Sequence, residues 1–230
     1  MALSKTQIDK LGDRLKSGDV ADEDLEALEE YRRSFAGAHD RVFTTISERL
    51  GLQPGARRAK VTASIIDKLR RESIRLTQIQ DIAGCRIVVP DRTAQDHVVE
   101  SLQRLFPDSV MFDRRATPSH GYRAVHVVVN VDDKAIEVQV RTQLQHEWAE
   151  LSEKLSDAVD PQIKYGGGRA HTQELMKSLS EVVATVETDE AGLSRWEDRP
   201  TREWFETMTQ KRHEMIRSLL KRLAADVRGV

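Results

Sequence analysis

The spacing of apolar positions divides the chain into a helical front, a strand-rich middle and a helical tail. Ser4 followed by Gln7 has the form of a capping box and predicts a short first helix. Over residues 22–50, Leu25, Leu28, Tyr31, Phe35, Val42, Ile46 and Leu50 recur mostly at three or four residues, the period of one helix face. Gly51, Pro54 and Gly55 break that pattern, and a second helix is predicted from Thr62, carrying Ile65, Ile66 and Leu69. Residues 85–89 form a β-branched run closed by Pro90, as expected of a buried strand. A helix over 93–105 and a short strand over 109–112 follow. The valine-rich stretch 122–131 and the alternating stretch 135–140 predict two further strands. In the second, Ile136, Val138 and Val140 point one way and Glu137 and Gln139 the other, with Arg141 continuing the polar face. Asp132, Asp133 and Lys134 connect the two as a hairpin. A helix from 142 to about 157 carries Leu144, Trp148, Leu151 and Leu155 on one stripe. Beyond the flexible loop 166–168, helices are predicted over about 171–187 and 201–227. Helices, then a mixed sheet, then helices indicate an α+β fold.

Composition narrows the function classes. The chain has 230 residues, enough for one large domain, or one domain with helical trimmings. Lys plus Arg total 36 and Asp plus Glu 38, a net charge of −2, which argues against a dedicated duplex-DNA binder. No run approaches the roughly 18 apolar residues of a membrane span, and the N-terminus has no signal-peptide core. The single cysteine, Cys85, rules out an internal disulfide and a Cys-rich zinc site. A cytoplasmic protein without membrane contact is expected. Glycine-rich nucleotide loops, zinc-protease and nucleophile-elbow motifs are all absent. Gly166-Gly-Gly168 follows no strand, and reads as a linker rather than a phosphate loop.

Four segments stand out from this background. Arg58 and Lys60 share a face if extended, and Ser64 and Lys68 lie one helical turn apart; together they form either a cationic wall suited to a polyphosphate or a solvated helix start. Asp81, at the entry to an apolar strand beside a glycine, is placed for a metal ion or is an ordinary turn residue. In His120-Gly-Tyr-Arg-Ala-Val-His126, Gly121 permits close backbone approach, Tyr122 offers a ring for base stacking, and His126 shares its face in a strand; the plain alternative is a loop and a core strand. Glu137, Gln139 and Arg141 alternate on one face, either as a site wall or as a solvated edge. Trp148, Trp196 and Trp204 are read as packing residues and Cys85 as a small buried hydrophobe. The histidines 97, 146, 171 and 213 show no metal spacing. The apolar stripe of the last helix (Trp204, Met208, Met215, Ile216, Leu219, Leu220, Leu223) is read first as packing, with an oligomer interface or a partner surface as the alternatives.

In order and spacing, RAKVTASIIDKL (58–69), DIAGCRIVV (81–89), HGYRAVH (120–126) and IEVQVRTQLQHEWAELSEKL (136–155) resemble the synthetase domain of the RelA/SpoT alarmone synthetases, over roughly residues 40–165. The short length is similar to the small single-domain members. The resemblance implies a nucleotidyltransferase-like core with a mixed, mostly antiparallel sheet over 51–165, N-terminal helices over 1–50 and a C-terminal helical extension over 166–230. It implies transfer of pyrophosphate from ATP to the 3′-hydroxyl of GDP or GTP, with Mg²⁺ as cofactor. Carried over by motif, Arg58, Lys60, Ser64 and Lys68 hold ATP and Asp81 binds Mg²⁺. Tyr122 stacks on the acceptor base, and His120, Gly121, His126, Gln139 and Arg141 line the acceptor nucleotide. Glu137 is metal ligand or proton acceptor. Kinship also implies a homo-oligomer.

Two segments depart from the family pattern. The loop before Gly121 lacks the family's lysine, for which Arg114 or Arg115 are the candidate replacements, and Ser152-Glu153 stands where Glu-His is frequent. The altered loop keeps open an alternative, a toxic relative that pyrophosphorylates the 3′ end of tRNA or an adenosine nucleotide and is paired with an antitoxin. The basic stretch 211–222 would then touch RNA phosphates. A third class, a non-enzymatic nucleotide-sensing or RNA-binding module, ranks lower because both carboxylates and the tyrosine are present. His39-Asp40 is read as incidental, with no alarmone hydrolase expected.

Overall fold

A computed structural model of the chain describes residues 3–18, 20–57, 60–192 and 199–227. Helices α1 (Lys5–Ser17), α2 (Asp22–Arg33) and α3 (Ala36–Leu50) come first. The predicted capping box closes the start of α1, with the Ser4 N–H donating to Gln7 Oε1 at 2.8 Å and the Gln7 N–H to Ser4 Oγ at 3.3 Å. The stretch read as one helical pattern is two helices. Its apolar spacing jumps seven residues from Phe35 to Val42. At this junction the Ser34 hydroxyl and the Phe35 N–H bond back to the Tyr31 and Arg32 carbonyls, a tight turn that ends α2.

Strand β1 (Gly55–Arg57), not predicted, is too short for a hydrophobic period; it pairs antiparallel with β2 (Ala83–Val89), Ala56 opposite Cys85. Helix α4 (Thr62–Arg71) precedes β2, and α5 (Arg92–Leu105) and β3 (Val110–Asp113) follow it. The hairpin strands are β4 (Val125–Val131) and β5 (Lys134–Thr142), joined by Asp132 and Asp133 at φ 48° and 59°, the left-handed pair of a two-residue type I′ turn. The five strands form one sheet in the order β1-β2-β5-β4-β3. Helices α6 (Gln143–Ala158), α7 (Ala170–Gly192) and α8 (Arg199–Asp226) complete the α+β fold. No described helix is long and apolar enough to cross a membrane.

The chain divides into two compact units. The first comprises Met1–Ile87, Leu102–Val110 and Val127–Gln139; the second comprises Val88–Ser101, Met111–His126 and Val140–Val230. In the first, Leu11 and Leu15 of α1 are buried, and Gly12 lies against Leu76 of a short 3₁₀ turn. In the second, Leu144, Trp148 and Leu151 of α6, Met176, Val183 and Val186 of α7, and Leu220 and Ala224 of α8 make a closed apolar cluster. Each large side chain so buried contributes about 1.5–3 kcal/mol. The last helix departs from its predicted stripe: Leu220 is sealed, but Trp204 and Met215 are 59% and 61% exposed, because only the C-terminal part of that stripe joins the cluster. Trp148 packs as expected, Cys85 is buried, and Trp196 lies outside the described residues.

Candidate active site

In the first unit three charged side chains meet, one on α4 and two on the segments that lead into α4 and β2. Ile65 and Leu69 bury one stripe of α4, which leaves Ser64 and Lys68 half-buried beside it. Lys60 stands on the segment between β1 and α4, where its N–H donates to the Ile82 carbonyl at 3.0 Å. Asp81 occupies the turn into β2. Lys60 Nζ lies 2.7 Å from Asp81 Oδ2 and Lys68 Nζ 3.1 Å from Oδ1, so each carboxylate oxygen faces its own ammonium. Burial pushes the Asp81 carboxyl up, but the two lysines outweigh it and hold the group below its ordinary range; the Glu137 charge pushes it back up. Arg58 lies outside the described residues.

Glu137 and Gln139 of β5 are buried, 7% and 4% exposed, and Gln139 Nε2 donates to Glu137 Oε2 at 2.8 Å. The reading of this face as a solvated edge is thereby excluded. Gly84 of β2 lets the Glu137 backbone come close: a Cβ there would lie 2.2 Å from the Glu137 carbonyl oxygen. Among the described residues no three His, Cys, Asp or Glu side chains form a metal-holding group.

In the second unit three of the residues expected to line an acceptor nucleotide meet, Tyr122 on a loop, His126 on β4 and Arg141 on β5. The predicted strand starts at Val125 rather than Tyr122, because Tyr122 bonds back to Ser119 (N–H to O, 2.9 Å) in a turn after His120 and Gly121, both at positive φ. Tyr122 and His126 nevertheless meet, Oη to Nε2 at 2.8 Å, with their rings edge to face. Arg141, 5% exposed, donates from Nη2 to the Tyr122 hydroxyl at 3.0 Å, and its guanidinium carbon lies 5.0 Å from the ring centroid. Tyr122, His126 and Arg141 thus form one cluster. His120 is exposed and its imidazole packs against Gly166, so loop 166–168 touches the motif loop rather than merely linking helices.

Of the two candidates for the missing lysine, Arg115 is engaged by Asp113 (2.7 Å) and Asp96 (2.5 Å), and Arg114 is exposed. In the basic stretch, Arg212 pairs with Asp189 at 2.6 Å, and Arg217 and Lys221 lie 3.5 and 3.6 Å from Glu147.

Some of this region was not foreseen. Thr142 and Gln145, the capping box of α6, join Gln95 and Glu187 in a buried polar network. The Thr-x-x-Gln spacing was the available signal; nothing near Glu187 pointed to it. Burial pushes the Glu187 carboxyl above its ordinary range, against the hydrogen bonds from Thr142 and Gln145.

Residues 57–156 match the family described as a region found in RelA / SpoT proteins. The chain is 32% identical over 158 residues to the GTP pyrophosphokinase YjbM of Bacillus subtilis, across 60% of this chain and 75% of that protein. The chain belongs to the RelA/SpoT family. It is also 34% identical over 147 residues to an uncharacterized protein of Mycobacterium tuberculosis strain H37Rv, across 58% of this chain and 54% of that one. It thus spans about half the length of this and the two other mycobacterial relatives it matches. Among solved structures, small alarmone synthetase 1 of Bacillus subtilis superposes with a TM-score of 0.53 at 23% identity, over 76% of this chain and 97% of that one. The four segments singled out in the sequence lie within or overlap the matched region.

Proposed function

We propose that this RelA/SpoT-family chain is a pyrophosphokinase that transfers the β,γ-pyrophosphate of ATP to the 3′-hydroxyl of GDP or GTP. The acceptor 3′-oxygen forms a bond to the β-phosphorus, the bond from that phosphorus to the α,β-bridging oxygen breaks, and AMP leaves. The observation that carries the reading is the first-unit charge cluster: two ammoniums on Asp81, at the entry to the strand whose Gly84 lies against the backbone of Glu137. Phosphoryl-type transfer asks mainly for positioning and charge neutralisation, and Lys60 and Lys68 supply both for a triphosphate. The relative YjbM is named for the GTP-directed reaction.

The donor set suits Mg²⁺. Asp81 and Glu137 are hard oxygen donors, and this ion takes one or two carboxylates and completes its shell with phosphate and water. When bound, the ion would neutralise charge on the transferred group. Lys60 and Lys68, freed in part from Asp81, turn their ammoniums to the phosphates. Glu137, held by Gln139, accepts the 3′-hydroxyl proton, a role worth about 10²–10⁴-fold in rate. Tyr122 stacks on the acceptor base, steadied by His126 and Arg141.

The test is AMP release from labelled ATP with GDP, GTP, ATP or tRNA offered in parallel. The wild type is expected to release AMP with a guanosine nucleotide, and Glu137→Gln to lose it. Undiminished turnover in Glu137→Gln would sink the assignment. Turnover with tRNA or ATP alone would favour the toxic-relative reading.

A further inference from the structure

We propose that Arg123 and Ser180 are positioning residues for the acceptor nucleotide, holding Tyr122 in place from the C-terminal helical extension; this rests on the reading of Tyr122 as the acceptor-stacking ring. The ring stands in a loop three residues before β4 begins, its backbone paired through an isolated bridge to Ser119. Both of its chain neighbours are instead bonded to α7. On one side, Ser180 Oγ donates to the Gly121 carbonyl at 2.6 Å. On the other, the Arg123 guanidinium, only 10% exposed, reaches three acceptors. Its Nε donates to Ser180 Oγ at 2.9 Å, its Nη2 to Glu181 Oε1 at 2.7 Å, and its Nη1 to the Arg115 carbonyl of the same loop.

Ser180 itself is 2% exposed, and its hydroxyl both accepts and donates, leaving it no second arrangement with equal satisfaction. The fork is a guanidinium property: its three nitrogens hold these partners in fixed, spread directions, whereas a lysine ammonium is one compact point on a flexible stem. Gly121 is pressed against the same helix pair. Its missing side chain would meet Trp148 Cζ2 at 2.8 Å, and Trp148 Nε1 donates to the Met176 carbonyl of α7 at 2.9 Å. The extension beyond the family-matched residues 57–156 is therefore part of the acceptor half of the site.

A loosened stacking ring holds the acceptor base less tightly, and this clamp touches only the acceptor side. In Ser180→Ala and Arg123→Ala the acceptor KM is expected to rise about tenfold, the scale of one base–aromatic stack. The ATP KM and the kcat at saturating acceptor are expected to hold, the split that marks lost ground-state positioning. Arg123→Lys keeps the charge without the fork and falls between. In parallel, hydrogen exchange of residues 114–124 in the nucleotide-free chain reports the clamp without any turnover. The Arg114 and Tyr122 amides, bonded to Ala124 and Ser119, should lose protection in Ser180→Ala while the β5 amides keep theirs. Equal losses in ATP and acceptor parameters, or unchanged exchange over 114–124, would overturn the proposal. If the wild type released no AMP with any acceptor, the proposed function would fall, and the exchange result alone would decide the clamp.

Discussion

The two groups of candidate residues are held in place by different physics. In the first unit, ion faces ion. Asp81 is clasped by Lys60 and Lys68, and these groups stand on α4 and at the ends of strands. In the second unit, a neutral phenol is ringed by an imidazole and a guanidinium, on a loop whose backbone is tied down by α7. A half-buried carboxylate and a buried one show the contrast. Asp81 is held below its ordinary range by ammoniums, whereas Glu187, among neutral donors, is pushed above it by burial. Charge can be pre-organised by a few residues close in sequence. A stacking ring on a loop needs support from more than fifty residues away.

The largest expected effect separates the two at their glycines. Gly84→Ala would push a Cβ into the Glu137 carbonyl, a backbone atom with nowhere to go. Overpacking of this kind costs about 1–3 kcal/mol or more. It would move Glu137 directly, so a lower urea midpoint should accompany loss of AMP release. Gly121→Ala is the second-unit counterpart. Its φ of +90° alone makes a side chain costly, by about 1–3 kcal/mol. Trp148 would also be displaced. Acceptor binding should weaken while ATP binding, measured by calorimetry, holds. Equal loss of both ligands in Gly121→Ala would erase the distinction between the two groups.

The same contrast explains what could be read beforehand. The lysines, Asp81 and the Glu-Gln-Arg alternation were legible because charge type, a four-residue helical step and a two-residue strand step are local signals. Burial of Glu137 and Gln139 was not legible, since an alternating strand reads alike whether its polar face is wet or covered. Tyr122 reads as part of a strand because the stretch it opens, 122–131, is rich in valine. Its turn depends on His120 taking a positive φ and on Ser180, neither of which has a local signature. Arg123 sits inside a recognised motif, yet two of its partners, Ser180 and Glu181, lie more than fifty residues further along the chain.

A smaller effect tests the first-unit ion cluster through pH. The Asp81 carboxyl is lowered on folding from an ordinary value of about 3.9. Its contribution is therefore fully present above that pH and is lost as pH falls through the folded value. Asp81→Asn should cost about 2 kcal/mol near neutrality, between the surface-pair and buried-pair limits. In acid the curves of the wild type and of Asp81→Asn should converge. Parallel urea-unfolding curves down to the acid limb would show that the lysines do not set the Asp81 titration.

The smallest effect lies in the second unit and has the opposite pH sign. His213 of α8 contacts Glu190 of α7 at 2.7 Å, and that hydrogen bond raises the imidazole above its ordinary range against partial burial. A raised histidine contributes stability that is complete below its unfolded value of about 6.5. That stability fades as pH rises through the folded value. His213→Gln should therefore cost about 1 kcal/mol in mild acid and almost nothing in mild alkali. Because the pair joins α7 to α8, its loss in alkali should loosen the tail without touching the first-unit cluster. Urea unfolding of wild type and His213→Gln on both sides of neutrality measures the difference. A gap that stayed constant with pH would mean that the imidazole acts by packing rather than by charge.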